Sequence, residues 1–191
     1  MKKIIILVFT IIVTTFSGDK TIVIDKDEAQ NAYELLNQIR LNPEDFEDQF
    51  PFLRYSKVKK TELIWNDTLA KVAENKAYDM AKRNYYGHVD PSGYGINYYI
   101  NKSGYKLNPS WLKNKRDNNF ESIAANVDNG VSAISTFIID KGVPSFGHRI
   151  HLLGLDEWNG SLKDIGIGFV RREKGSKYKT YVCVIIAKHD W

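Results

Sequence analysis

Apolar residues recur along much of the chain at intervals of three and four, the spacing of one buried helix face. This pattern predicts main helices over residues 27–42, 67–83 and 129–140, and a shorter helix over 96–103. Asn42 precedes a proline and ends the first helix, because the residue before proline avoids the helical conformation. Asn66 or Asp67 is the predicted N-cap of the second. The inward-facing residues predicted for the third are Val131, Ile134, Phe137 and Ile138.

The C-terminal part instead contains two nearly continuous apolar runs, residues 164–170 and 180–187, which are typical of buried strands. A Lys-Gly-Ser-Lys turn over 174–177 joins them into a predicted hairpin. Residues 21–27 form a short β-prone segment, and the polar residues 106–119 predict a long loop. Helices followed by a hairpin predict a layered α+β fold.

The first residues have the features of an export signal. Lys2 and Lys3 precede an apolar run over 4–13, and small residues follow at the spacing that a signal peptidase recognises. The run is shorter than the roughly 20 residues of a membrane-spanning helix, so we expect cleavage near Ser17 rather than an uncleaved anchor. The protein is then secreted or periplasmic, with no integral membrane span after cleavage. A run of this kind also suggests a bacterial source.

Charge and cysteine content exclude several function classes. The chain has 27 Lys+Arg and 23 Asp+Glu, a formal charge of +4. Without Lys2 and Lys3 the balance is 25 to 23, or +2, and the charges are mixed, so a nucleic-acid partner is not expected. Cys183 is the single cysteine, which excludes a disulfide framework, and its apolar surroundings predict a core residue. We expect a lead-in over 18–28 and one monomeric domain over 29–191.

Three side chains stand out as candidates for chemistry. His88 lies in a Gly-rich turn directly after a predicted helix, and His148 follows a glycine in a second turn. Turn residues held between helices are common positions for binding sites. Glu121 enters an apolar segment, where a carboxylate needs a partner. Each histidine has the alternative interpretation of a structural group, and Glu121 that of a helix-start residue.

Five motifs then occur in a recognisable order. They are His-x-Asp-Pro-x-Gly at 88–93, Gly-Tyr at 104–105, Glu-x-Ile-Ala at 121–124, Ser-Phe-Gly-His-Arg at 145–149 and Asp-Ile-Gly-Ile-Gly at 164–168. Together they resemble the bacterial, disulfide-free branch of the CAP superfamily. That superfamily includes cysteine-rich secretory proteins, antigen-five proteins and plant pathogenesis-related proteins. The resemblance covers nearly all of the chain after residue 29.

The resemblance implies a three-layer α-β-α sandwich with a surface cleft, in which two histidines can hold a divalent cation such as zinc. His88 and His148 match the two histidines, and Glu121 and Asp140 match the two cleft acids. Asp140 is one methylene shorter than the glutamate of some family members, which puts its reach in question. The usual Gly-Glu-Asn of the family is replaced here by Phe-Glu-Ser at 120–122.

His151 follows His148 by three residues, which places both rings on one side of a helix. It is either an additional metal ligand or a surface or supporting histidine. A catalytic zinc normally has three protein ligands, whereas two are evident here. We therefore expect a weak, exchangeable cation site that loses affinity below about pH 6.5, where imidazoles protonate.

The leading functional hypothesis is a secreted binding or interaction module for a lipid, glycan or protein ligand. The alternative is a metal-assisted hydrolase of a peptide or envelope polymer, with Glu121 as the general base. In a third interpretation the cleft is inactive and the 106–119 loop makes the contacts. A neighbouring aromatic stretch either lines a groove for an apolar or glycan ligand or packs under this loop. It contains Tyr94, Tyr98, Tyr99, Tyr105 and Trp111.

Overall fold

The computed structural model describes residues 21–189. The predicted export signal over 1–17 lies outside this range. The helices are α1 (Lys26–Leu41), α2 (Asp67–Arg83), α3 (Ile96–Lys102), α4 (Gly130–Ile139), α5 (Gly147–Leu153) and α6 (Glu157–Gly160). The strands are β1 (Ile22–Ile24), β2 (Ile64–Trp65), β3 (Glu121–Ala125), β4 (Asp164–Arg172) and β5 (Thr180–Ala187). No helix among the described residues is both long and apolar enough to cross a membrane.

The central sheet has the strand order β1-β4-β5-β3, with the short strand β2 also paired to β4. Strands β4 and β5 form the predicted hairpin, and Gly168 lies opposite Cys183 in their antiparallel register. Only β2 runs parallel to its partner within the described sheet. Strand β3 pairs with β5 and therefore lies at one edge, a position that matters for the site below.

Helix α2 covers one face of the sheet at very short range. Gly166 and Gly168 of β4 point toward it, and an added Cβ at either position would lie within 2.0–2.3 Å of the α2 backbone. Because close approach of two backbones leaves no space for a side chain, glycine is required at both positions. The Gly-x-Gly spacing follows from strand alternation, since residues two apart share a face.

Helices α1 and α4 pack together in the layer on the opposite side. Their backbones approach closely at Gly130, where a Cβ would lie 1.9 Å from the carbonyl oxygen of Glu28. The Glu28 carboxylate also accepts a hydrogen bond from the Gly130 backbone N–H at 2.8 Å. The arrangement is the predicted three-layer α-β-α sandwich, with the core between each helical layer and the sheet.

The predicted helix bounds agree with the structure to within one or two residues, and Asn66 is the N-cap of α2. Cys183 is buried in β5 as expected. One prediction was wrong: Val131 is 45% exposed, because α4 turns this position toward solvent while Ile134 and Phe137 face inward. The alternative interpretation of Glu121 as a helix-start residue is excluded, because Glu121 is the first residue of strand β3.

Candidate functional site

A surface cleft of about 290 Å³ lies across the edge strand β3. Its lining includes His88, Glu121, Ser122, His148 and His151. Successive side chains of a strand point to opposite faces, so Glu121 faces the α2 layer and Ser122 faces the α5 side. The edge strand therefore brings together side chains from both helical layers. Histidines that are 60 positions apart in the sequence line the same cleft.

His88 occupies the α2 side of the cleft. Its Nδ1 lies 2.7 Å from Oε2 of Glu121. The Asn118 side chain lies against the same ring nitrogen at 2.9 Å, and its Oδ1 accepts the backbone N–H of Glu121 at 3.0 Å. Asn118 therefore fixes the start of β3 relative to the His88 ring.

The Glu121 carboxylate lies in the interior with no exposed side-chain surface. Its second oxygen, Oε1, lies 4.0 Å from the buried ammonium of Lys76 and 3.7 Å from Sγ of Cys183. Lys76 also donates to the backbone carbonyls of Gly87 and His88, at 2.8 and 3.0 Å. One buried lysine thus compensates the carboxylate charge and holds the turn that carries His88. Burial and the neighbouring Glu121 raise the pKa of the Cys183 thiol well above its usual range, so the thiol is neutral.

His148 occupies the other side of the cleft, at the start of α5. Its Nδ1 lies 2.7 Å from Oδ1 of Asp140. Oδ2 of the same carboxylate accepts the backbone N–H groups of His148 and Arg149, at 3.0 and 3.3 Å. Asp140 is the C-cap of α4 in the left-handed region, with φ of 52°. The shorter side chain therefore reaches its histidine, and it also satisfies N–H groups in the first turn of α5.

Both cleft histidines have a carboxylate on Nδ1. A carboxylate only accepts hydrogen bonds, so the tautomer that satisfies Glu121 and Asp140 carries its proton on Nδ1 and leaves Nε2 with its lone pair. In this tautomer of His88 the Asn118 amide nitrogen is a close contact of Nδ1 and not a hydrogen-bond donor to it. The His88 side chain is 44% exposed and the His148 side chain 23% exposed. A carboxylate on the far nitrogen is the usual companion of a metal-binding histidine, because it fixes the tautomer and the ring orientation.

His151 differs from these two residues. Its ring is buried, Nδ1 lies 2.8 Å from Oγ of Ser122, and Nε2 is enclosed; the Ile186 backbone is the further polar neighbour of the ring. Burial lowers the pKa of His151 to about 4. Neither nitrogen is directed into the open cleft, so the structure favours a supporting histidine over a ligand. The three-residue spacing predicted that His151 and His148 lie on the same side of the helix. It did not predict that the His151 ring is buried.

Sequence reasoning missed two residues of this site, Lys76 and Asn118. Lys76 lies on the apolar face of α2 between Ala73 and Ala77, so helical spacing alone could have identified it as a buried charge. Asn118 gave no such signal, because it is one of several asparagines in a polar loop.

Comparison with known proteins agrees with this architecture. The sequence model of the CAP, or cysteine-rich secretory protein, family matches residues 33–185. The chain belongs to this family. No curated protein matches it in sequence.

Solved structures share the fold, among them two from bacteria. One is an extracellular protein containing an SCP domain from Bacillus anthracis str. Ames, with 22% identity and a TM-score of 0.53. The match covers 86% of this chain and 41% of that one, so the chain spans well under half of that protein's length. The other is an outer surface protein from Borrelia burgdorferi, with 16% identity and a TM-score of 0.57, covering 86% of this chain and 95% of that one.

Proposed function

We propose that the protein is a secreted CAP-family interaction module whose cleft binds a divalent cation through Nε2 of His88 and Nε2 of His148. The observation that carries this proposal is the matched pair of buried carboxylates, Glu121 and Asp140, each 2.7 Å from the Nδ1 atom of its histidine. Neutral imidazole nitrogens suit zinc, copper or nickel. Secretion is supported by the export signal predicted from the first 17 residues and by the two structures of the same fold, of which one is an extracellular protein and the other an outer surface protein.

The donor set limits what such a site can do. Within residues 21–189, no group of three or more His, Cys, Asp or Glu side chains is arranged to hold a metal. Two imidazoles leave the remaining positions of a cation to water or to a ligand of the module. A bound cation supplies a Lewis acid and an attachment point for a ligand oxygen or nitrogen. We therefore propose exchangeable binding, with zinc as the best match.

The hydrolase alternative receives no support from the geometry. A general base must come within hydrogen-bond reach of the water or group from which it takes a proton. The Glu121 carboxylate has no exposed surface, and Oε2 is already engaged by His88. Ser122 is also buried, so its contact with His151 does not present a nucleophile to the cleft.

The test is a calorimetric titration of Zn²⁺ into untagged protein at pH 7.5. We expect wild type to bind one ion, and His88→Ala/His148→Ala to abolish that binding. His189→Ala is the matched control, because His189 pairs with Asp164 and does not line the cleft. Equal binding by wild type and the double variant, or no binding by wild type, would overturn the proposal.

A further inference from the structure

A second concavity, of about 350 Å³, lies between α3 and the 106–119 loop. It shares no lining residue with the histidine cleft. Its lining consists of Tyr94, Tyr98, Asn101, Lys102, Leu112, Lys113, Asn114 and Lys115. Three of these eight residues are lysines and none is acidic.

The three lysines of this concavity have no carboxylate partner. Lys102, Lys113 and Lys115 form no ion pair within residues 21–189, as is also true of surface lysines such as Lys57 and Lys82, whereas Lys60 pairs with Glu44. What distinguishes the three is that they line one concavity whose lining has no acidic residue. Three ammonium groups without a carboxylate make this concavity electropositive, which favours an anionic ligand.

Two tyrosines form the base between these lysines. The Tyr94 and Tyr98 rings are 4.3 Å apart between centroids. The ammonium of Lys115 lies 5.3 Å from the Tyr94 centroid and that of Lys102 lies 5.5 Å from the Tyr98 centroid. Neither phenol oxygen has a hydrogen-bond partner among residues 21–189, whereas the neighbouring Tyr99 hydroxyl is bound to Asp90. The two free hydroxyls are therefore available to a polar ligand.

We propose that this concavity binds an acidic saccharide, with the three ammonium groups on its carboxylate or sulfate groups and the two tyrosine hydroxyls on its ring oxygens. The volume is at the low end of the roughly 300–1,000 Å³ usual for small-ligand sites. Leu112 is the single aliphatic residue of the lining, so the chemistry favours a polar ligand over an acyl chain. This site needs no cation and is independent of the histidine cleft.

The test measures binding of a heparin oligosaccharide by calorimetry at low salt with EDTA present. We expect Lys102→Gln/Lys113→Gln/Lys115→Gln to weaken binding about tenfold or more. The control triple, Lys57→Gln/Lys82→Gln/Lys174→Gln, removes the same charge elsewhere and should change affinity less than about threefold.

Three further arms complete the design. Tyr94→Phe/Tyr98→Phe keeps the rings and should weaken binding about threefold or more, through loss of the hydroxyl contacts. A dextran oligosaccharide of equal length should not bind. The proposal is overturned by equal losses in both lysine triples, by dextran binding as tightly as heparin, or by attachment to anionic phospholipid vesicles without saccharide binding. Matching circular dichroism spectra and melting temperatures establish that each variant is folded.

Discussion

The two histidines of the cleft make the same contact with a carboxylate but are held by different parts of the fold. His88 and Glu121 are 33 residues apart, and the carboxylate is buried in the sheet beside Lys76. His148 and Asp140 are eight residues apart, and they lie at the two ends of the short connection between α4 and α5. One pair therefore depends on packing between layers, whereas the other is local. Substitutions on the first side should affect global stability, and those on the second should mainly affect the site.

The largest effect is expected from Lys76→Met. Removing the ammonium leaves the buried Glu121 carboxylate without its cation, which should lower the free energy of unfolding by about 3–5 kcal/mol in urea denaturation. Lys71→Met is the control on the same helix. The Lys71 side chain is 63% exposed and Glu74 keeps Lys26 as a second partner at 3.9 Å, so this loss should cost less than about 1 kcal/mol. The double variant Lys76→Met/Glu121→Gln should recover part of the loss, because a neutral amide needs no cation. A Lys76→Met protein as stable as wild type would contradict the proposed charge compensation.

The next effect concerns His151, on the local side of the cleft. Its pKa is about 4 in the folded protein, against 6.5 for an unperturbed imidazole. Between these values the unfolded chain binds a proton that the folded protein excludes, so stability falls as the pH is lowered from about 6.5 to about 4. The shift corresponds to about 3 kcal/mol over that window, with no further loss from this group at lower pH.

His151→Gln removes this titration and serves as the comparison. The difference in unfolding free energy between variant and wild type should change by about 3 kcal/mol from pH 7.5 to pH 4, with wild type losing more. Carboxylates that titrate in the same range contribute equally to both proteins and cancel. A difference that is independent of pH would show that His151 is accessible to protons in the folded state.

The smallest effect on stability is expected from Asp140→Asn. Asparagine tolerates the left-handed backbone and caps a helix about as well as aspartate, so unfolding should change by about 1 kcal/mol or less. The lost negative charge weakens the hold on Nδ1 of His148, and Zn²⁺ affinity should fall about tenfold or more. Glu121→Gln should instead lower both affinity and stability. If Asp140→Asn and Glu121→Gln lowered the free energy of unfolding equally, the two sides of the cleft would not differ in how they depend on packing between layers.

The sequence alone determined helices α1 to α4, the β4–β5 hairpin and the family, and it nominated four cleft residues. Hydrophobic periodicity located these helices, and the family resemblance nominated His88, His148, Glu121 and Asp140. These features are encoded in local residue spacings, which can be recognised without knowing how the elements pack.

The tertiary structure alone decided the role of each group. It made both acids partners of Nδ1, enclosed His151 beneath Ser122, and placed Lys76 behind Glu121. It also showed that Tyr105 is buried while Tyr94 and Tyr98 line a separate concavity. The physical reason is that the helical layers meeting at an edge strand decide two properties of a site residue. They decide which group hydrogen-bonds to a histidine nitrogen, and they decide how deeply a side chain is buried. Residue spacing gives a side chain's face but not the groups packed against it.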